Sequence, residues 1–164
     1  MPRASATPEQ LRALLDYDAK TGDLTWRVNR GTRQFAGKRA GSVSANGGRV
    51  VCVCGKLERE SRVVWAHVHG YWPEFQIDHI NGDECDNRIE NLRDVSGALN
   101  CQNKHRAPRT NKHGTLGASP VGNRWRAQIK VGGQKIYLGL FKTAEEANRV
   151  YVEAKRRLHP GCTL

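Results

Sequence analysis

The cleanest alternation of apolar and polar positions runs through Arg124-Trp125-Arg126-Ala127-Gln128-Ile129-Lys130, where every second residue is apolar. A period of two marks a half-buried strand, so Trp125, Ala127 and Ile129 are expected to face a core while Arg124, Arg126, Gln128 and Lys130 face out. Gly132-Gly133 makes a two-residue hairpin, and the return strand places Ile136 and Leu138 inward with Lys135 and Tyr137 outward. Thr143-Ala144-Glu145-Glu146 then caps a helix with Ala147, Val150, Tyr151 and Ala154 along one stripe. With a weaker first strand near Leu116 to Ser119, this part reads as a three-stranded antiparallel sheet packed on one helix.

Nearer the N-terminus the elements are shorter and the periods mixed. Thr7-Pro8-Glu9-Gln10 has a capping-box pattern with Pro at the first helical position, followed by Leu11, Leu14 and Leu15 at helical spacing, so a short helix should end near Asp16. Thr21-Gly22-Asp23 turns the chain into a strand at Leu24 to Val28, residues 29 to 40 form a basic irregular loop, and Asn46-Gly47-Gly48 leads to a strand at Val50 to Cys54. Ser61 to Val68 reads as a helix burying Val64, Trp65 and Val68, with Gly70 and Pro73 punctuating the approach to Ile77. Trp26 and Trp65 read as packing residues. Leu92 to Val95 can form another strand, and Ser96 can cap a helix carrying Asn100 near its first turn. The whole is an α+β chain.

With 164 residues, 38% of them hydrophobic, the chain has room for one ordinary domain or two small ones with modest cores. Charge sharpens the division. The formal +11 is uneven: residues 1–100 hold 14 Lys/Arg against 13 Asp/Glu, while residues 101–164 hold 13 against 3. So basic a second part points to a polyanionic partner. Between the two parts, Lys104, His105, Arg106, Arg109, Lys112 and His113 stand among Pro and Asn, which reads as a basic linker in reach of a phosphate backbone. Residues 101–114 could extend to roughly 45 to 50 Å. The expected division is 1–102, a linker at 103–114, and 115–164. No apolar run approaches a membrane span and the N-terminus lacks a signal-peptide core, so a soluble, cytoplasmic chain without membrane or small-molecule cofactor is expected. The cysteines at 52, 54, 85, 101 and 162 form no Cys-x-x-Cys pair, so neither a structural zinc site nor a disulfide framework is signalled, and Cys52 and Cys54 read as small buried or edge thiols.

The densest chemistry lies at Ile77-Asp78-His79-Ile80-Asn81-Gly82, followed by Asn87-Arg88-Ile89-Glu90-Asn91-Leu92-Arg93 and Asn100. Hydrolysing a phosphodiester needs a base for water, a cation for the phosphate charge, and help for the departing oxygen. A histidine titrating near neutrality suits the first task, and hard carboxylate and carboxamide oxygens suit the second. Adjacent Asp78 and His79 would point to opposite sides of a regular strand, so a site using both wants them at a strand's end, which the Asn81-Gly82 turn supplies. An isolated Asp-His pair would read as a turn-rich surface loop. The full spacing points to a site.

Asp78-His79, Asn91 and Asn100 resemble the signature of the HNH endonuclease family, in the branch whose third letter is Asn. The resemblance implies a ββα-metal (His-Me finger) unit in which a two-stranded ribbon and a helix clasp one divalent ion. It implies that His79 is the general base, that Asp78 and Asn100 hold the metal, and that Asn91 braces the backbone so that the His79 ring is aimed. Some members carry a further histidine ligand where this chain has Lys104. An ammonium cannot ligate a cation, so magnesium, or manganese, is favoured over tightly held zinc. The leader, with Tyr17, Thr21-Gly22 and Trp26, resembles the segment that often precedes this motif in phage HNH proteins, although Ser61 stands where relatives often have histidine.

The C-terminal order, with Gly117, Trp125, Tyr137-Leu138-Gly139-Leu140-Phe141 and the helix from Thr143, resembles the Apetala or ethylene-response-factor type of DNA-binding domain. In that family the sheet enters the major groove. The matching outward positions are Arg124, Arg126, Gln128, Lys130, Lys135 and Tyr137, joined by Lys104, Arg106 and Arg109 of the linker as phosphate contacts. Ser119 and Pro120 depart from the plant pattern, where arginines are usual. The two resemblances occur together in phage and mobile-element homing endonucleases. They imply a metal-dependent enzyme that cuts double-stranded DNA to leave a 3′-hydroxyl and a 5′-phosphate. A non-cleaving DNA-binding regulator on the same scaffold is the alternative, and an RNA-directed protein a third reading that suits a major-groove sheet less well.

Overall fold

Thr7 starts the first element by satisfying two otherwise orphaned amides. Its hydroxyl accepts from the Gln10 amide at 3.3 Å, and the Gln10 side chain accepts from the Thr7 amide at 2.9 Å. A computed structural model describes residues 5–29, 31, 35–45, 47–107, 111 and 113–164, so the expected contact Arg109 lies outside the described residues. Contacts divide the chain into two units, Met1–Ser96 and Gly97–Leu164.

In the first unit, helix α1 covers Pro8–Leu14, shorter than the spacing of leucines predicts, because Leu15 turns extended and pairs with Trp26. The ladder between β1 (Leu15–Asp18) and β2 (Asp23–Trp26) thus takes the residues that would have made another helical turn. An antiparallel sheet in the order β3 (Ser42–Val43), β4 (Arg49–Val53), β5 (Lys56–Arg59) follows. Cys52 and Cys54 are exposed rather than buried, Cys52 on the solvent face of the middle strand, while Val51 and Val53 take the inner face. Helix α2 (Glu60–His69) packs on α1, β4 and β5, and buries Val63, Val64 and Ala66. Trp26 is buried with them and Trp65 packs partly against that core. Val68 is exposed, contrary to expectation: it follows the same face as buried Ser61 and Val64, but the buried residues of α2 end at Ala66 and Val68 lies in the last turn. Strands β6 (Gln76–His79) and β7 (Leu92–Val95) form a separate antiparallel ribbon, with a 3-10 turn at Ile89–Asn91 before β7.

The second unit opens with α3 (Gly97–Gln102) and then builds an antiparallel sheet of β8 (Ala118–Val121), β9 (Arg124–Val131) and β10 (Gln134–Phe141), with β9 in the middle. Helix α4 (Ala144–Leu158) packs on all three strands. Thr143 caps it, its hydroxyl accepting from the Glu146 amide at 3.2 Å. Ala118, Ala127 and Ala147 are buried at the centre, and Trp125, Leu138 and Phe141 pack around them. Ile136 departs from the expected inward position and is 39% exposed. It pairs with buried Ile129, but β10 is an edge strand; Leu138, at the bulge between Tyr137 and Gly139, packs against the core as expected.

The stripe on α4 holds one surprise. Lys155, eight residues after Ala147, is only 1% exposed, and its ammonium donates to the Lys104 carbonyl. Burial lowers its pKa, with the electrostatic influence of Cys162 opposing. Residues 103–105, at the start of the expected basic linker, make hydrogen bonds within this unit. His105 Nε2 lies 3.0 Å from the Thr163 hydroxyl, which donates in turn to buried Asn103. The Gly161 amide donates to Gln102 Oε1 at 3.1 Å.

Gly117 explains how closely α4 approaches the sheet. At φ 73° it occupies left-handed backbone, and a Cβ there would lie 1.9 Å from Tyr151 Cγ. Gly117→Ala should therefore destabilise the second unit by roughly 2–5 kcal/mol, combining left-handed strain with overpacking. Urea unfolding measures this directly, and an unchanged midpoint would show that Tyr151 moves aside freely. Among the described residues no helix is long and apolar enough to cross a membrane.

Candidate active site

The β6–β7 ribbon pairs Asp78 with Arg93 and His79 with Leu92. His79 is thus the last residue of its strand, where a side chain can leave the regular alternation, and the chain turns at once as the Gly82 amide donates to the His79 carbonyl at 2.9 Å. The loop that follows is laced by Asx turns. Asn81 Oδ1 accepts from the Asp83 amide and Asp83 Oδ1 from the Cys85 amide, at 2.8 and 2.9 Å.

Asn91 closes this loop. Its side-chain nitrogen donates to Asn81 Oδ1 at 3.0 Å and to the Asp86 carbonyl at 2.8 Å, and its oxygen accepts from the Asn81 amide at 2.9 Å. Its backbone carbonyl accepts from Ile80. Both ends of the turn after His79 are therefore tied to one buried side chain.

Asp78 is buried, and its Oδ2 accepts from Arg93 Nε and Nη2 at 2.8 and 2.7 Å. The guanidinium is a built-in counter-charge, and a cation at Asp78 would have to share the carboxylate with it. Asn100 stands in the middle of α3, in the second unit. Among the described residues no group of three or more His, Cys, Asp or Glu side chains forms a cation cage. A carboxylate and a carboxamide are nonetheless hard oxygen donors that fit magnesium, which binds through few protein ligands and takes the rest from water and phosphate.

The His79 ring is held by a residue that sequence reasoning missed. Its Nε2 lies 3.0 Å from Asn87 Oδ1, and Asn87 Nδ2 donates to Glu60 Oε1 at 3.4 Å. Glu60 is fully buried and also accepts from Arg49 Nε at 3.0 Å and Arg39 Nη2 at 3.4 Å. Burial pushes its pKa up, against the pull of those two guanidiniums. Arg39 continues the network to Asp23. Nothing local marks Asn87 or Glu60. The one sits in a polar loop and the other in the charge run Glu58-Arg59-Glu60-Ser61-Arg62, which reads as surface.

Asp86 anchors the far side of the loop, accepting from Asn81 Nδ2 and from the backbone and side chain of Arg88. The Arg88 hydrogen bonds pull its pKa from 3.8 to about 2. Because the folded value is depressed, the stability Asp86 contributes is complete above its ordinary value and lost as pH falls through about 2. Acid unfolding should therefore steepen between these two values, and Asp86→Asn should flatten that window. Superimposable acid titrations of the two proteins would refute this.

On the second unit, Arg124 and Lys130 are exposed and Arg126 and Gln128 half-buried on one face of β9, while Trp125, Ala127 and Ile129 take the other. Lys135 pairs with Lys130 and Tyr137 with Gln128, so six polar or basic side chains share one face. Tyr137 is 61% exposed, and Lys104 and Arg106 are exposed before the sheet begins.

Residues 60–100 match the family model described as HNH endonuclease. The match covers about a quarter of the chain, beginning at Glu60 and ending at Asn100. This supports an HNH domain and, at the level of the family, a nuclease acting on DNA. No curated protein and no solved structure matches the chain. The leader that supplies Arg39, Arg49 and Tyr17 lies outside the HNH match.

Proposed function

We propose that this chain is a metal-dependent DNA endonuclease of the phage or mobile-element kind. The observation that carries the reading is His79, held by Asn87 at the end of a ribbon strand beside Asp78, inside the HNH match. His79 takes a proton from water, the water oxygen bonds to phosphorus, and the bond to the 3′ oxygen breaks. The products are a 5′-phosphate and a 3′-hydroxyl whose proton comes from solvent. Asp78 and Asn100 would hold a divalent cation, most suitably magnesium, which when bound supplies neutralisation of the phosphate charge. Asn91 keeps the loop after His79 closed. Arg124, Arg126, Gln128, Lys130, Lys135 and Tyr137, with Lys104 and Arg106, give the chain a duplex-binding face. Arg109 belongs with them by sequence.

The Arg93 guanidinium on Asp78 Oδ2 favours a second reading, a non-cleaving DNA-binding regulator on the same scaffold. Conversion of supercoiled plasmid to open-circular or linear form separates the two. Cleavage with magnesium that stops with EDTA is expected. Binding without backbone breakage, on plasmid carrying a bound site, would favour the regulator.

A further inference from the structure

The hydrogen bonds around Asn87 have only one consistent polarity. Each oxygen of Glu60 faces a guanidinium, Arg49 on Oε2 and Arg39 on Oε1, and a guanidinium can only donate. As a carboxylate between two guanidiniums, Glu60 accepts throughout, and the group Asn87 turns toward it is the amino group. That leaves the carboxamide oxygen toward His79, and this oxygen can only accept. Turning the amide over would set two acceptors against each other between side chains that are 1% and 0% exposed, where an unmade bond is costly. The backbone is held as well. The Tyr17 hydroxyl donates to the Asn87 carbonyl at 3.3 Å and accepts from the Ile89 amide at 2.8 Å. A Cβ on Gly22 would lie 2.6 Å from the Asn87 carbonyl carbon, so the leader packs against this stretch without a side chain between.

We propose that Asn87, oriented by Glu60, is a positioning residue that fixes His79 in the tautomer with its proton on Nε2, so that Nδ1 carries the lone pair that takes the proton from water. The inference rests on the reading of His79 as the base. It assigns the ring's orientation to a relay whose outer members, Arg39 and Arg49, lie in the leader. A ring free to exchange tautomers would spend part of its time with the lone pair on the wrong nitrogen.

The test is nitrogen-15 NMR of the His79 ring in the full chain, at a pH where the imidazole is neutral, beside cleavage kinetics with magnesium. Wild type should show the Nε2–H tautomer. Asn87→Leu keeps the buried volume and should lose the fixed tautomer, with kcat down about 10²-fold or more and KM for DNA within about twofold. A wild-type ring protonated on Nδ1 overturns the proposal even if no variant folds. So does a folded Asn87→Leu protein with wild-type kcat. Wild type that shows the Nε2–H tautomer but does not cleave DNA would instead overturn the nuclease reading.

Discussion

Replacing His79 with alanine should lower cleavage by about 10²–10⁴-fold while leaving DNA affinity nearly unchanged. The two effects separate because the proposed binding face lies on the sheet of the second unit, whereas His79 belongs to the ribbon of the first. The substitution should also be tolerated by the fold. His79 is half-buried at the end of a strand and is not a member of the apolar core. Single-turnover cleavage and filter binding on the same duplex, with magnesium, measure both quantities. A His79→Ala protein that cuts at the wild-type rate would remove His79 as the base.

The largest loss of stability is expected from Glu60→Leu, about 3–5 kcal/mol by urea unfolding, the usual consequence of removing one partner from a buried ionic cluster. Arg49 carries most of it, since its side chain is only 12% exposed and would be left without its carboxylate. The Asn87 amino group would also lose its acceptor. Arg39 adds less because it is 39% exposed and keeps Asp23. The pKa of Glu60 gives this prediction a pH dependence. A raised folded value means that its contribution is fullest below the ordinary 4.5 and declines as pH rises through the shifted value. The gap between wild type and Glu60→Leu should therefore narrow toward higher pH. A loss below about 1 kcal/mol at all pH values would mean that water reaches and satisfies Arg49 after the substitution.

Much of the local structure was legible because its causes are local. The capping residues Thr7 and Thr143, the alternation along β9, the Gly132-Gly133 hairpin and the strand at Leu92–Val95 all follow from neighbours within a few positions. Expectations failed where a distant partner decided the outcome. Leu15 leaves its helix for Trp26, and Ile136 is exposed because its strand lies at an edge. The same holds for the candidate site. Asp78, His79 and Asn91 announce themselves by residue type and spacing, but Asn87 gains its role from Glu60, 27 positions away. A polar residue in a polar loop carries no mark of such a partner, and a glutamate among alternating charges carries no mark of full burial.

The hydrogen bonds of the last residues bear on how the protein should be handled. Thr163 reaches Asn103 and His105, Gly161 reaches Gln102, and the Leu164 carbonyl accepts from Arg156 Nε at 2.9 Å. An affinity tag or fluorophore joined directly to Leu164 would pull on the segment immediately following Asn100, so a labelled protein could bind DNA normally and still report a misleading cleavage rate. Separating the label from Leu164 by a flexible glycine-serine spacer avoids that interference.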